Sequence, residues 1–213
     1  MTRHFIQSLK QPIKKSLSGE VADPLARPDP ADNPLRRTAS TTTAEKKLLP
    51  PQQDGLTVLG IDPGSQRTGW GIIRECSGVL TLIKCGVVRP RGDSFSARLG
   101  HLFQELAEIV SQTCPHEAAI ENVHMARNAA TALKLGQARG VAVAACSSRQ
   151  VPVFDWQPTE IKQAVTGTGK ADKEQVAWMV AHMLNTQISG PADITDALAV
   201  AVCHLNRRRF IEQ

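Results

Sequence analysis

The chain lacks several features that would assign it to a common class. No apolar run in its 213 residues approaches the roughly 20 residues that a membrane-spanning helix needs. Its five cysteines include no CxxC pair, and no Cys/His run has the spacing of a zinc site. Widely spaced cysteines in odd number, without a secretory signal, predict reduced and mostly buried thiols in a cytosol-like compartment. We therefore expect a cytoplasmic protein with no membrane association and no disulfide framework.

Strong charge bias is also missing. The formal net charge is +5, of which residues 1–55 contribute +3 (nine basic, six acidic) and the remainder +2 (16 basic, 14 acidic). Net charge of this size does not by itself indicate a nucleic-acid partner. Such a partner has to be argued from where the lysines and arginines fall.

The first 55 residues lack sustained apolar periodicity and hold seven of the 13 prolines. This composition predicts a disordered extension over 1–55. Its beginning, Met1 to Ser18, is basic and free of acids, which is also compatible with a targeting segment, while a start codon assigned too far upstream is a third explanation. Residues 56–213 are long enough for one domain with its own core.

Alternating and helical apolar patterns predict three strands, a helix, a strand, a helix, a strand and then helices. The predicted strands are 57–61, 69–74, 79–88, 117–120 and 151–154, and the predicted helices are 99–110, 129–145, 158–165, 176–183 and 193–209. A helix between two later strands can serve as a right-handed crossover. The pattern therefore predicts an α/β fold with a mixed five-stranded sheet flanked by helices.

Four acidic residues lie at the ends of predicted elements. Asp62 and Glu121 each follow a predicted strand, and Asp193 and Asp196 begin the last predicted helix, three residues apart on one face. Carboxylates at such positions can point into a shared cleft and hold hard divalent cations such as Mg²⁺. Taken singly, each has an ordinary explanation as a helix cap or a turn residue.

Carboxylates on several elements suit metal-assisted phosphodiester hydrolysis. Attack of water develops negative charge on the attacking and leaving oxygens, and two cations about 3.5–4 Å apart can stabilise both. Asp62 would bridge the two ions, Glu121 would hold one, and the aspartate pair would complete the set. The residues thus predict a metal-dependent phosphoryl-transfer enzyme.

Four sequence blocks resemble, in order, the RuvC family of bacterial crossover junction endodeoxyribonucleases. They are VLGIDPGSQRTGWGIIRE, AIENVHMARNAATALKLGQARGVAVAA, IKQAVTGTGKADKEQV and ADITDALAVAVCH. The resemblance implies a ribonuclease H-like fold and a homodimer that resolves four-way (Holliday) DNA junctions in recombination and repair by paired symmetric nicks. It also implies two Mg²⁺ ions per active site, with Mn²⁺ as a substitute. The four catalytic acids of the family fall on Asp62, Glu121, Asp193 and Asp196.

The same resemblance implies further contacts. The basic residues of the family near the cleaved strand match Lys162 and Lys173, and Lys170 and Arg127 would extend a basic rim, although a solvated helix face is the commoner role of a surface lysine. His124 stands where the family often has a phenylalanine that stacks on a junction base, so it is either a stacking residue or a plain loop histidine.

The helix over 128–145 resembles the dimer interface of the family, and packing within the chain is the alternative. RuvA and RuvB, the branch-migration complex, are the implied partners.

Other functions stay open at this point. The segment DPGSQRTGWG also resembles the phosphate loop of actin-like ATPases, but the remaining chain leaves no room for their second lobe. A YqgF-type nuclease of the same fold acting on RNA, and a junction-binding protein without catalysis, are the nearer alternatives.

Overall fold

The computed structural model describes residues 55–122 and 128–208, which form five strands and five helices. The strands are β1 (Leu56–Asp62), β2 (Thr68–Cys76), β3 (Val79–Val88), β4 (Glu117–Glu121) and β5 (Val153–Trp156), and the helices are α1 (Phe95–Thr113), α2 (Ala129–Ser147), α3 (Pro158–Thr166), α4 (Lys173–Met183) and α5 (Ala192–Arg207). All described residues belong to one compact unit. The predicted disordered extension lies outside the described residues, apart from Gly55, and remains a prediction.

The five strands form one mixed sheet in the order β3-β2-β1-β4-β5. β1, β2 and β3 make an antiparallel meander, whereas β4 pairs in parallel with β1 on one side and with β5 on the other. Helices α1 and α2 connect the parallel strands, as expected for crossovers. The predicted mixed five-stranded α/β fold is confirmed.

Side-chain alternation along β1 separates two hydrophobic cores. Leu59 and Ile61 face α1 and α2, where Leu102, Leu106 and Ala142 cover them. Val58 packs in the other core, against α5 and its neighbours α3 and α4. Because side chains two residues apart lie on the same face of a strand, Asp62 belongs to the face that α5 covers.

Helix α5 is the central element of that face, and glycines let it approach the sheet closely. Every residue from Ala197 to Leu205 is buried. A β-carbon on Gly60 would collide with the backbone oxygen of Ala197, and one on Gly69 would collide with the backbone oxygen of Asp193. The absence of side chains at these two positions therefore lets the first turns of α5 lie directly above the last residues of β1 and the first residues of β2.

The prediction for the fifth strand was wrong by two residues. The ladder with β4 runs from Ala118 opposite Val153 to Glu121 opposite Trp156, whereas the apolar run begins at Val151. Pro152 has no N–H to donate to the ladder, although its carbonyl oxygen accepts a hydrogen bond from the Ala118 N–H at 2.9 Å. No described helix is both long and apolar enough to cross a lipid bilayer.

Candidate active site

Asp62 and Glu121 end two neighbouring parallel strands. Ile61 of β1 pairs with Ile120 of β4, so the two acids follow at the same level of the sheet. Adjacent strands lie about 4.8 Å apart. Ala119 packs in the α5-side core, and by alternation Glu121 projects toward α5 as Asp62 does. The two carboxylates therefore emerge side by side beneath the start of α5.

Asp193 and Asp196 do not cap the helix they begin. The N-cap of α5 is Pro191, with no side-chain cap hydrogen bond. At the start of α4, by contrast, Asp172 is an ordinary cap whose Oδ1 accepts from the Gln175 N–H at 2.8 Å. The capping explanation thus fails for both acids of α5, which leaves their carboxylates available to the cleft.

Two basic side chains contact these carboxylates. Lys173 Nζ donates a hydrogen bond of 2.9 Å to Asp196 Oδ2, and Arg67 Nε lies 3.9 Å from Asp193 Oδ2. The Asp196 contact raises the pKa of Lys173, with the charges of Asp62 and Glu121 acting in the same direction. Lys173 therefore stays protonated and interacts with Asp196, Asp62 and Glu121.

The electrostatics of Asp62 show that the four acids converge. The pKa of Asp62 is raised from 3.8 to about 7, first by burial and then by the charges of Glu121, Asp196 and Asp193, in that order, against the opposing charge of Lys173. A carboxyl group crowded by three others lacks sufficient positive charge around it. Such a carboxyl group is suited to binding a cation.

A small cleft of about 80 Å³ opens beside these acids. Its lining includes Glu121 and Asp196 together with both predicted phosphate-binding lysines, Lys162 and Lys173. Lys170 is exposed on the loop between α3 and α4 and does not line this cleft. Larger hollows of about 500 and 560 Å³ elsewhere on the surface contain a single acid each. His124 and Arg127 lie outside the described residues.

The acids fit a divalent metal in donor type but are not closed around one. Within 55–122 and 128–208, no three His, Cys, Asp or Glu side chains stand in a ready-made metal cluster. Asp193 and Asp196 are instead paired with Arg67 and Lys173. Four carboxylates on three adjoining elements nevertheless supply the oxygen ligands that Mg²⁺ and Mn²⁺ require.

At the other end of β4, Glu117 belongs to a buried network. The Trp156 Nε1–H donates to His204 Nδ1 at 3.2 Å, and His204 Nε2 donates to Glu117 Oε2 at 2.7 Å. Burial lowers the pKa of His204, although Glu117 acts in the opposite direction. The neutral imidazole thus joins β4, β5 and α5.

The sequence interpretation missed Arg67, which contacts the site from the β1–β2 turn. The Gly64 N–H donates to Thr68 Oγ1 at 3.2 Å, and the same hydroxyl donates to the Gly64 oxygen at 3.0 Å. These bonds hold the turn that carries Arg67. The one feature of the sequence that could have indicated this role is the position of Arg67 five residues after Asp62.

Comparison with known proteins agrees with this geometry. The model of the family "Crossover junction endodeoxyribonuclease RuvC" matches residues 58–204, a span that includes all four acids. The chain belongs to the RuvC family. RuvC of Nitratidesulfovibrio vulgaris (strain DP4) is 60% identical over 155 residues, which are 73% of this chain and 93% of that protein. RuvC of Oleidesulfovibrio alaskensis is 59% identical over 156 residues, covering 73% and 94%.

Solved structures of RuvC share the fold. Thermus thermophilus RuvC is 31% identical with a TM-score of 0.67, and the match covers 73% of this chain and 96% of that one. The same protein in complex with a Holliday junction substrate gives a TM-score of 0.69 at 31% identity and the same coverage. The yeast mitochondrial Holliday junction resolvase Ydc2, at 12% identity and a TM-score of 0.53, covers 73% of this chain and 85% of its own and shares the fold. The RNA-directed, ATPase and non-catalytic alternatives are not favoured by these matches.

Proposed function

We propose that the chain is a structure-selective endodeoxyribonuclease that resolves four-way DNA junctions by symmetric paired nicks. The observation that carries this proposal is the grouping of Glu121, Asp193 and Asp196 around Asp62 in a RuvC-family chain. RuvC is a family of metal-dependent nucleases, and the substrate seen with the Thermus thermophilus relative is a Holliday junction.

We assign to the four acids the binding of two Mg²⁺ ions, with Mn²⁺ as a substitute. When bound, the metal supplies charge stabilisation for the attacking and leaving oxygens and an activated water. The chain itself supplies the positions: β1 and β4 hold Asp62 and Glu121 side by side, and α5 brings its two aspartates above them. Burial beneath α5 reduces the screening of the Asp62 charge by bulk water.

Lys162 and Lys173 would bind phosphates of the cut strand. Both line the cleft, and an ammonium group acts there as a point charge toward the phosphate backbone. Lys173 has a second effect, because its contact with Asp196 neutralises one carboxylate before the substrate arrives. Lys170 would extend the rim, and Arg127 and His124 remain proposed DNA contacts on the segment that the structure does not describe.

A homodimer would place two active sites on one junction. The outward side of α2 is suited to close packing, because Leu133 is 65% exposed and β-carbons on Gly136 and Gly140 would meet open space. A two-fold axis through that helix would match the near two-fold symmetry of the DNA and so explain paired cuts. RuvA and RuvB are the proposed branch-migration partners. The proposed location is the cytoplasm, where these partners and the DNA would be found.

Cleavage of a synthetic four-way junction tests the proposal. With Mg²⁺ the wild-type chain should make symmetric nicks in strands of like polarity and leave a linear duplex of the same sequence uncut. Asp62→Asn and Glu121→Gln should abolish cutting while junction binding persists, because phosphate contacts survive the loss of metal ligands. Normal cutting by either variant would overturn the assignment of the acids. Preferential cutting of RNA or of the linear duplex by the wild type would overturn the function.

A further inference from the structure

Arginines lie on the side of the cleft that faces away from Lys162 and Lys173. The strand order β3-β2-β1-β4-β5 places the acidic strand ends of β1 and β4 in the middle of one sheet edge. The two lysines belong to α3 and α4, which pack against α5, and they line the cleft beside Glu121 and Asp196. The opposite flank of this edge consists of the β1–β2 turn and the segment that follows β3.

Strand register places these arginines at the active-site edge. Asp62 pairs with Gly69 of β2, and Gly69 pairs with Val87 of β3. Since β3 is antiparallel to β2 and β2 to β1, β3 ends where β1 ends. Arg89 and Arg91 follow that end directly, and with strand spacings of about 4.8 Å and a rise of about 3.3 Å per residue, the Arg89 Cα lies about 12 Å from that of Asp62.

Both segments that carry the arginines are held in place. Ser94 caps α1, its Oγ accepting from the Ala97 N–H at 3.1 Å. Gly92, with φ of 143°, lies so close to this first turn that a β-carbon would meet the Ala97 Cβ at 2.7 Å. The Thr68 hydrogen bonds described above hold the turn of Arg67. Groups held in advance lose less entropy on binding a ligand.

The arginine side chains are available for an anionic partner. Arg89 and Arg91 are exposed, and neither has an ion pair with a residue of 55–122 or 128–208. Arg67 is 54% exposed and makes one long contact, 3.9 Å, with Asp193. Asp93 is the acid within the segment after β3, so the three arginines keep a positive excess there.

We propose that Arg67, Arg89 and Arg91 form a second phosphate-binding rim, which holds the cut strand on the β3 side of the scissile phosphate. This inference rests on the proposed function and extends it. Arginine forks match phosphate oxygens in a bidentate manner. A distance of about 12 Å would place the rim at phosphates a few nucleotides from the cut. The lysines would hold the other flank.

Junction binding without divalent metal, measured against salt concentration, tests the rim. The combined variant Arg67→Ala, Arg89→Ala and Arg91→Ala should flatten the plot of log K against log salt by about 0.9 for each phosphate that a bound chain no longer neutralises. Replacing the same three residues with lysine should restore most of the slope. Arg149→Ala is the matched control, because Arg149 is an exposed arginine between α2 and β5, at the opposite edge of the sheet.

Ethylation of single phosphates then locates the contacts. Ethyl groups on phosphates a few nucleotides to one side of the cut should weaken binding of the wild type, but not of the triple alanine variant. A triple variant with the salt slope and the ethylation pattern of Arg149→Ala would overturn the rim. These readouts are independent of cutting, so a wild type that binds but does not cut the junction in Mg²⁺ would count against the proposed function and not against the rim.

Discussion

Replacing Asp62 with asparagine should stabilise the metal-free fold while abolishing its activity. The pKa of Asp62 is raised from 3.8 to about 7 by burial and by three neighbouring carboxylates. Each tenfold change in an ionisation equilibrium is worth about 1.4 kcal/mol, so full ionisation opposes folding by about 4 kcal/mol at most. Side-chain relaxation toward solvent reduces this value, and we expect a gain of about 1–3 kcal/mol for Asp62→Asn above pH 7.

The pH dependence of this gain has a definite sign. The folded state holds the Asp62 proton more tightly than the unfolded state does, so the unfolded state binds fewer protons between about pH 4 and pH 7. Stability of the wild type relative to Asp62→Asn should therefore fall as pH rises through that window and level off above it. Denaturant unfolding in EDTA at pH 4.5, 6 and 8, interpreted with a common m-value, measures the difference.

Metal should reverse the order of stability. A cation that binds only the folded wild type at 100 times its Kd adds about 2.7 kcal/mol, which Asp62→Asn should largely forgo. Asp93→Asn, on the exposed segment after β3, is the control and should match the wild type throughout. An Asp62→Asn variant that is no more stable than the wild type in EDTA at pH 8, or a difference that does not change with pH, would refute the reasoning.

Three further results are expected. Gly69→Ala would push its new methyl group against the backbone of Asp193 and should lower the cleavage rate about 100-fold, because the metal ligands would be misplaced. The control Gly100→Ala, which has open space around its new methyl group, should cut normally. Equal cleavage rates for the two variants would contradict the close approach of α5 to the sheet. Trp156→Phe leaves the buried His204 Nδ1 without its donor and should lower the free energy of unfolding by about 1–3 kcal/mol, and an unchanged denaturation midpoint would argue against that bond. Because the pKa of His204 is lowered in the folded state, its contribution to stability should be lost as pH falls below about 6.5. The difference in unfolding free energy between the wild type and His204→Gln should therefore narrow at low pH. A difference that widens there would mean that the pKa of His204 is raised on folding.

Period-two alternation and strand ends made the acidic cleft predictable. Apolar runs located β1 and β4, and the acids that end them share a face with Val58 and Ala119 because side chains alternate. The spacing of Asp193 and Asp196 placed both on one side of a helix. Ordinary caps were the alternative for these two acids, and the sequence could not exclude them, since the N-cap at Pro191 is set by how α5 meets the sheet.

Features that depend on pairing between distant segments were not predictable. The displaced fifth strand follows from its register with β4, which the apolar run VPVF does not specify. Arg89 and Arg91 gained significance only from the order and direction of β3, which place them at the same edge of the sheet as Asp62. The contact of Lys173 with Asp196 spans 23 residues and requires the packing of α4 on α5. Local propensity contains none of this information.

Binding of Mn²⁺, followed by electron paramagnetic resonance, tests the central claim most directly, because it reports the metal centre without requiring cleavage. Wild-type protein should bind Mn²⁺ saturably, and Mg²⁺ should displace it. Asp62→Asn should lose most of this binding, while Asp93→Asn should retain it. Equal Mn²⁺ binding by the wild type and Asp62→Asn would show that the converging carboxylates are not the metal centre and would contradict the account.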